Sequence, residues 1–175
     1  MALLAEKLVE EWLNRQGYFT IRGLKIGVHE IDLLAVRPAG GGLECRQFEV
    51  QASVRPISYV TPVPAALRKA TGRSSANAKV RNVSEIRQGI AEFTAKKYDH
   101  PEKRRLRSQL APGPWTRELV LHRVKYEQEV ALIKEAGIVV HSLGEIVRQL
   151  ERGDLLVEGA GGADLTDLVT LTKDR

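Results

Sequence analysis

Three acidic residues lie where a carboxylate is costly unless something compensates its charge. Asp32 and Glu49 each lie inside an apolar run of the kind that forms a central β-strand. Glu6 lies at the edge of the apolar stripe of an N-terminal helix. Because a buried carboxylate is destabilising without a positive partner, we expect these positions to form a site that binds a cation.

The chemistry that this site predicts is metal-assisted hydrolysis. Mg²⁺ is held by one or two carboxylates, by water and by substrate phosphate. Such an ion polarises a phosphoryl oxygen and lowers the pKa of bound water, as phosphodiester hydrolysis requires. Gln51 shares a strand face with Glu49, so its amide is placed to hold that water or a phosphate oxygen. The predicted catalytic residues are Glu6, Asp32, Glu49 and Gln51, and the predicted metal ligands are Asp32, Glu49 and Glu6.

One helix and three strands must position these acids. A helix is predicted over residues 2–16, because Leu4, Leu8 and Trp12 recur at every fourth position. Three strand predictions follow, over 18–26, 30–36 and 44–54. Glycine-rich turns join them, so we expect an antiparallel meander behind the helix.

The rest of the chain is predicted to continue as alternating helices and strands. An irregular connection is expected at 55–82, followed by a helix at 84–98 that Ser84 caps and by a basic stretch at 100–107. A strand is expected at 118–124, and a helix then runs to residue 135. A strand at 138–141 and a helix at 143–152 follow. An apolar element of undetermined type lies at 165–171. This order predicts one α/β domain over 1–175, with a mixed central sheet flanked by helices, a core of 1–54 and 115–152, and a basic insert at 55–114.

Positive charge is concentrated in the middle of the chain. Residues 52–126 hold 16 Lys and Arg against 5 Asp and Glu, although the net charge of the whole chain is only +5. A basic segment beside acidic flanks indicates contact with a polyanion; the alternative is a solvated basic face. The candidate nucleic-acid-binding residues are Arg68, Lys69, Arg73, Lys79, Arg81, Lys96, Lys97, Lys103, Arg104, Arg105 and Arg107.

The sequence predicts a cytoplasmic protein without a membrane partner. A single cysteine, Cys45, excludes an internal disulfide. No run reaches the roughly 18 apolar residues of a membrane span. The apolar pattern at the N-terminus is interrupted by acids, unlike a secretion signal.

Two other patterns are not expected to bind ligands. The four histidines (His29, His100, His122 and His141) have no metal-type spacing with one another or with Cys45, so we expect no zinc site. The glycine run at 159–162 follows no clear strand, so it does not predict a nucleotide-binding loop.

The order of the acidic motifs resembles the motif series of the PD-(D/E)xK nucleases. The likeness lies in Glu6 of the first helix, Gly17-Tyr18, the run 30–35 (Glu-Ile-Asp-Leu-Leu-Ala) and the run 48–51 (Phe-Glu-Val-Gln). It covers residues 1–54 and extends loosely to 137–143. This superfamily includes restriction endonucleases and archaeal Holliday-junction resolvases.

The resemblance implies a fold, a cofactor and a substrate. The fold would be a restriction-endonuclease-like αβββαβ core. Mg²⁺ or Mn²⁺ would be held by Asp32 and Glu49, with Glu6 as an auxiliary acid. The substrate would be DNA, duplex or branched, and cutting both strands of a duplex needs two sites, which suggests a homodimer.

The sequence departs from the family at one catalytic position. Gln51 stands where the motif usually has lysine, and a neutral amide cannot supply positive charge to a developing transition state. Lys25 and Arg55 are the candidates for that charge. The departure keeps open a catalytically inactive nuclease-fold DNA-binding or assembly subunit. Two blander interpretations also stay open: Glu49 and Gln51 as the polar face of an edge strand, and an accessory protein with no nucleic-acid role.

Overall fold

The computed structural model describes residues 2–53, 55–153, 155–159 and 164. Within them, helices and strands follow one another in an α/β arrangement, which confirms the predicted class. The helices are α1 (Ala2–Arg15), α2 (Ala65–Thr71), α3 (Val83–Lys97), α4 (Pro101–Leu110), α5 (Glu127–Glu135) and α6 (Leu143–Arg152). The strands are β1 (Phe19–Ile26), β2 (His29–Ala39), β3 (Gly42–Gln51), β4 (Trp115–Leu121) and β5 (Ile138–Ser142).

The five strands form one mixed sheet in the order β1-β2-β3-β4-β5. The first three are antiparallel neighbours, which confirms the predicted meander, whereas β4 and β5 continue the sheet in parallel to β3. Gly40 and Gly41 join β2 to β3 with φ of 55° and 84°, values that a tight hairpin turn requires. Because β3 has a neighbour on each side, the interpretation of Glu49 and Gln51 as an edge-strand face is wrong.

Helices α1 and α6 cover one face of the sheet. Leu8 and Trp12 of α1 are buried in a cluster with Phe48 of β3, as their spacing predicts. Leu4 is 43% exposed, so its predicted place in the apolar stripe is wrong. The buried residues of α1 begin at Ala5 instead, because the helix is oriented so that Ala5 rather than Leu4 faces the sheet.

Helices α3 and α5 cover the other face. Ile86, Ile90 and Phe93 of α3 are buried in a second cluster that includes Leu119 of β4. The predicted insert at 55–114 is therefore not separate from the core, because α3 lies within it and forms half of one layer.

Two segments between β3 and β4 differ from their predicted form, and a third, the basic stretch, had no predicted form. The connection expected to be irregular contains α2. Helix α3 begins after Asn82 rather than at Ser84, because the Asn82 side chain accepts a hydrogen bond from the Glu85 backbone, and the Glu85 carboxylate accepts one from the Asn82 backbone. The basic stretch forms α4, which starts with Pro101, a residue suited to the first helical turn.

The predicted apolar element at 165–171 and all of the glycine run except Gly159 lie outside the described residues. Among the helices that the structure describes, none has the length and apolar character needed to cross a bilayer.

Candidate functional site

Two of the predicted acids face each other where the β2–β3 ladder ends. The last paired positions are Leu33 and Phe48, so the next positions across the two strands are Asp32 and Glu49. Instead of another backbone bond, the Asp32 Oδ2 accepts a hydrogen bond from the Val50 amide at 2.8 Å. The strands thus separate at a pair of carboxylates.

Glu49 is enclosed between two ammonium groups. Its side chain is 1% exposed, and Lys97 Nζ lies 2.6 Å from Oε2. Lys103 Nζ lies 3.5 Å from Oε1, and this buried oxygen has no hydrogen-bond partner. The carboxylate therefore has one oxygen that is hydrogen-bonded to Lys97 and one that only faces the more distant ammonium of Lys103.

The surroundings of Glu49 favour its protonated form. Burial, and then the negative charge of Asp32, raise the pKa of Glu49 to about 7, and the opposing effect of Lys97 and Lys103 is smaller. The charge on Glu49 in turn raises the pKa of Lys97. Burial lowers the pKa of Lys103, although Glu49 lies nearby. Glu49 consequently changes charge near neutral pH.

The third predicted acid is coupled to this pair through Asp32. Glu6 is buried on α1; burial raises its pKa, and the charge of Asp32 raises it further, while Arg22 opposes the rise. The charge of Asp32 thus raises the pKa of both Glu6 and Glu49. Among the described residues, however, the three acids do not form a group whose oxygens all lie within 4.8 Å of one another. The structure brings them to one region without a closed triad.

The two lysines at Glu49 lie on α3 and α4, and the sequence predicted them only as surface cations that bind nucleic acid. Lys97 follows Phe93 by four positions, so the two lie on the same side of α3, and the burial of Phe93 carries Lys97 to the sheet. Lys103 of α4 donates a hydrogen bond to the Lys97 carbonyl at 2.9 Å, where the carbonyl end of α3 favours a cation. The spacing of Phe93 and Lys97 is the signal that sequence reasoning missed.

The cations that contact Glu49 are not the residues expected to replace the motif lysine. Lys25 and Arg55 are both exposed, and the ammonium groups at Glu49 belong to Lys97 and Lys103. That expectation is therefore corrected. Gln51 is half-buried on the same face of β3 as Glu49, as predicted.

A cleft of about 620 Å³ begins beside this cluster. Gln51 and Lys97 line one part of it, and Tyr59 and Arg68, from the connection that follows β3, line another. The long connection thus folds over α3 and forms the far wall. A cleft of this size is within the range of ligand-binding sites.

The predicted nucleic-acid-binding residues divide into two groups. Exposed or half-exposed ones are Arg68, Lys69, Arg73, Lys79, Lys96, Lys97, Arg104 and Arg105. Arg81, Lys103 and Arg107 are buried, which corrects their expected place on the surface. Arg81 donates to the Thr61 carbonyl at 2.9 Å, and Arg107 donates to the Gln47 side chain, so both are committed to internal contacts.

Two histidines that are far apart in the sequence lie side by side in the structure, and a third contacts a buried carboxylate. His29 and His100 come together with ring centroids 3.7 Å apart. His141 lies 2.6 Å from Glu118, which also bonds Arg46 at 3.0 Å. Hydrogen bonds from His141 and Arg46 lower the pKa of Glu118 to about 2, so this carboxylate is a permanently charged structural group beneath α1.

Function is therefore inferred from the chemistry of Asp32, Glu49 and the two lysines at them. When the chain is compared with protein-family models, curated proteins and solved structures, none of them matches it.

Proposed function

We propose that this protein is a metal-dependent endonuclease of the PD-(D/E)xK type, which hydrolyses phosphodiester bonds in DNA with activated water. The observation that carries the proposal is the meeting of Asp32 and Glu49 at the open end of β2 and β3, with Lys97 on Glu49. The order α1-β1-β2-β3-α2-α3-α4-β4 contains the order αβββαβ of the restriction-endonuclease core, with α2 and α4 as additions beside α3, and so supports this assignment.

The acid pair fits Mg²⁺ or Mn²⁺. Glu49 has a buried oxygen without a hydrogen-bond partner, and the charge of Asp32 makes it harder to ionise, so a cation between them would relieve both costs. Asp32 and Glu49 would be its ligands, with Glu6 as a nearby auxiliary acid. When bound, the ion polarises the phosphoryl group and lowers the pKa of a coordinated water.

Lys97 supplies the positive charge that Gln51 lacks. Its side chain is 32% exposed beside the cleft, so it can contact a phosphate as well as Glu49. There it would stabilise the negative charge that develops on the phosphoryl oxygens during attack. The Gln51 amide lines the same cleft and would donate to a phosphate oxygen or orient the water.

DNA would approach over the exposed cations around the cleft. Arg68 of α2 and Lys96 of α3 line it, and Arg104 and Arg105 are exposed on α4. These side chains would contact backbone phosphates, which mainly sets affinity rather than sequence preference. Two copies of the chain in a homodimer would place one site at each strand of a duplex.

One observation favours a second function, a catalytically inactive nuclease-fold subunit that binds DNA or assembles with a partner. Glu49 already has Lys97 at 2.6 Å and Lys103 at 3.5 Å, and these two charges can neutralise the acid pair without any metal. Such a protein would bind DNA with strong salt dependence and take up no Mg²⁺.

Cleavage of plasmid, single-stranded and four-way-junction DNA with Mg²⁺ or Mn²⁺ tests the proposal. We expect wild-type protein to cut at least one substrate, and Asp32→Asn and Glu49→Gln each to abolish cutting. Glu135→Gln, which removes an exposed acid of α5, is the matched control and should cut normally. Equal cutting by all four repurified proteins would reject this site, and metal-independent binding without cutting would favour the inactive subunit.

A further inference from the structure

We propose that His29, His100 and Glu102 form a second metal site, of the zinc class, which fastens β2 to α4. His29 is the first residue of β2, His100 precedes α4, and Glu102 lies in its first turn. One ligand atom of each lies within 4.8 Å of the other two, and His29 Nε2 is 3.9 Å from a Glu102 oxygen. The sequence separation between His29 and His100 concealed this group.

The group is incomplete without a ligand. His100 Nδ1 is buried and has no hydrogen-bond partner, and a buried polar atom in that state carries a desolvation cost. The two imidazole rings lie against each other with centroids 3.7 Å apart, so their nitrogens can share one ion. A cation that accepts the lone pair of His100 Nδ1 removes the desolvation cost.

The donor set selects the kind of metal. Two imidazole nitrogens and one carboxylate oxygen suit Zn²⁺, with water as a fourth ligand, whereas Mg²⁺ prefers oxygen ligands alone. Bonds of about 2.0–2.2 Å require the three ligand atoms to close to about 3.3 Å from one another. The Glu102 side chain is 55% exposed and the His29 side chain 23% exposed, so both have room to turn.

The charge of the site is balanced by its own carboxylate. The N-terminus of α4 disfavours a cation, and Glu102 in the first turn offsets that effect while serving as a ligand. Because α4 also carries Lys103, which lies at Glu49, the metal would tie the strand of Asp32 to a helix that contacts the acid pair. This site needs only its own donor atoms and does not depend on whether the protein cuts DNA.

Zn²⁺ titration of the tag-free, full-length protein tests the site, with calorimetry for affinity and thermal unfolding for stability. We expect one Zn²⁺ to bind and to raise Tm. His29→Ala and Glu102→Gln should each weaken binding by at least about tenfold, since even partners outside the ligand shell are worth about 10- to 100-fold. His122→Ala removes an exposed histidine elsewhere and should bind as wild type does.

A second measurement serves if the ligand variants do not fold. In wild-type protein, Zn²⁺ should shift the imidazole nitrogen resonances of His29 and His100 and leave those of His122 and His141 in place. Glu49→Gln should still bind Zn²⁺, which separates this site from the proposed nuclease site. Absence of Zn²⁺ binding, equal binding by wild type and His29→Ala, or shifts at His122 or His141 instead would overturn the proposal.

Discussion

At the residue scale, Glu49 is held in a state that costs stability at high pH. Its pKa is raised from 4.5 to about 7, so the folded protein holds a proton there that the unfolded chain has released. Stability contributed by that proton is present below pH 4.5, falls between pH 4.5 and 7, and is fully lost above. A carboxylate kept in this condition indicates a function other than stability.

Replacing this carboxylate with its amide should flatten the pH dependence of stability. Between pH 4.5 and 7 the metal-free wild-type protein should lose about 3 kcal/mol of unfolding free energy relative to Glu49→Gln. Urea unfolding of both proteins at several pH values measures the difference. Parallel stability curves would show that Glu49 titrates normally.

Loss of the Lys97 ammonium should slow cleavage far more than loss of the neighbouring Lys96 ammonium. Lys97→Met removes the ammonium 2.6 Å from Glu49 and should slow cleavage about 100-fold or more. Lys96→Met removes an exposed charge one position earlier and should only weaken DNA binding. Single-turnover rates at saturating DNA separate the two effects, and equal losses in both variants would deny Lys97 a catalytic role.

The acids were predictable from the sequence, and their cationic partners were not. Asp32 and Glu49 stand out because an acid inside an apolar strand needs a local reason. Lys97 and Lys103 look like ordinary helix charges, since only the packing of α3 and α4 on the sheet brings them to Glu49. Local periodicity contains no information about which distant helix covers a strand.

At the element scale, α3 is positioned by a close contact with the connection before it. Gly89 is buried, and a Cβ there would lie 2.9 Å from both the Pro62 carbonyl oxygen and the Thr61 hydroxyl. A glycine in mid-helix normally costs stability. Here it lets α3 approach the wall of the cleft, which fixes where Lys97 lies.

Adding one methyl group at this glycine should therefore destabilise the protein. Alanine in a helix interior usually gains about 1 kcal/mol over glycine, but Gly89→Ala should lose about 1–3 kcal/mol because the backbone oxygen must move. Gly144→Ala in α6, where the nearest atom is 3.7 Å away, should be neutral or stabilising. Urea unfolding measures both, and a gain from Gly89→Ala would contradict this packing.

Elements with strong local signals were predictable, whereas elements fixed by tertiary contacts were not. The β-meander follows from apolar runs separated by glycine turns. Helix α2 was missed because prolines and polar residues surround its seven residues, and its backbone start is held by Glu92 of α3. The start of α3 was misplaced by two residues because Asn82 and Ser84 are both good capping residues.

At the scale of the whole molecule, positive charge is distributed unevenly over the surface. The basic middle of the sequence contributes the exposed residues of α4 and the cleft, while buried members such as Arg81 stabilise the connection. Composition predicted the amount of charge, but only the fold separates cations that can meet DNA from cations that cannot.

The exposed arginines of α4 should account for part of the salt dependence of DNA binding. Arg104→Gln combined with Arg105→Gln should weaken binding and reduce the slope of log affinity against log salt by about 2. The matched control, Arg148→Gln with Arg152→Gln on α6, should leave the slope unchanged. Fluorescence anisotropy over a salt series measures it, and equal slopes for both double variants would exclude α4 from the interface.

Calorimetric titration of Mg²⁺ into wild-type protein and Glu49→Gln above pH 7 tests the acid pair most directly, because a hard cation prefers its oxygens to the histidine group. We predict that wild-type protein binds Mg²⁺ at a site that Glu49→Gln lacks. If wild-type protein takes up no Mg²⁺, or if the variant binds it equally well, Asp32 and Glu49 are not a metal site and the two lysines alone neutralise them.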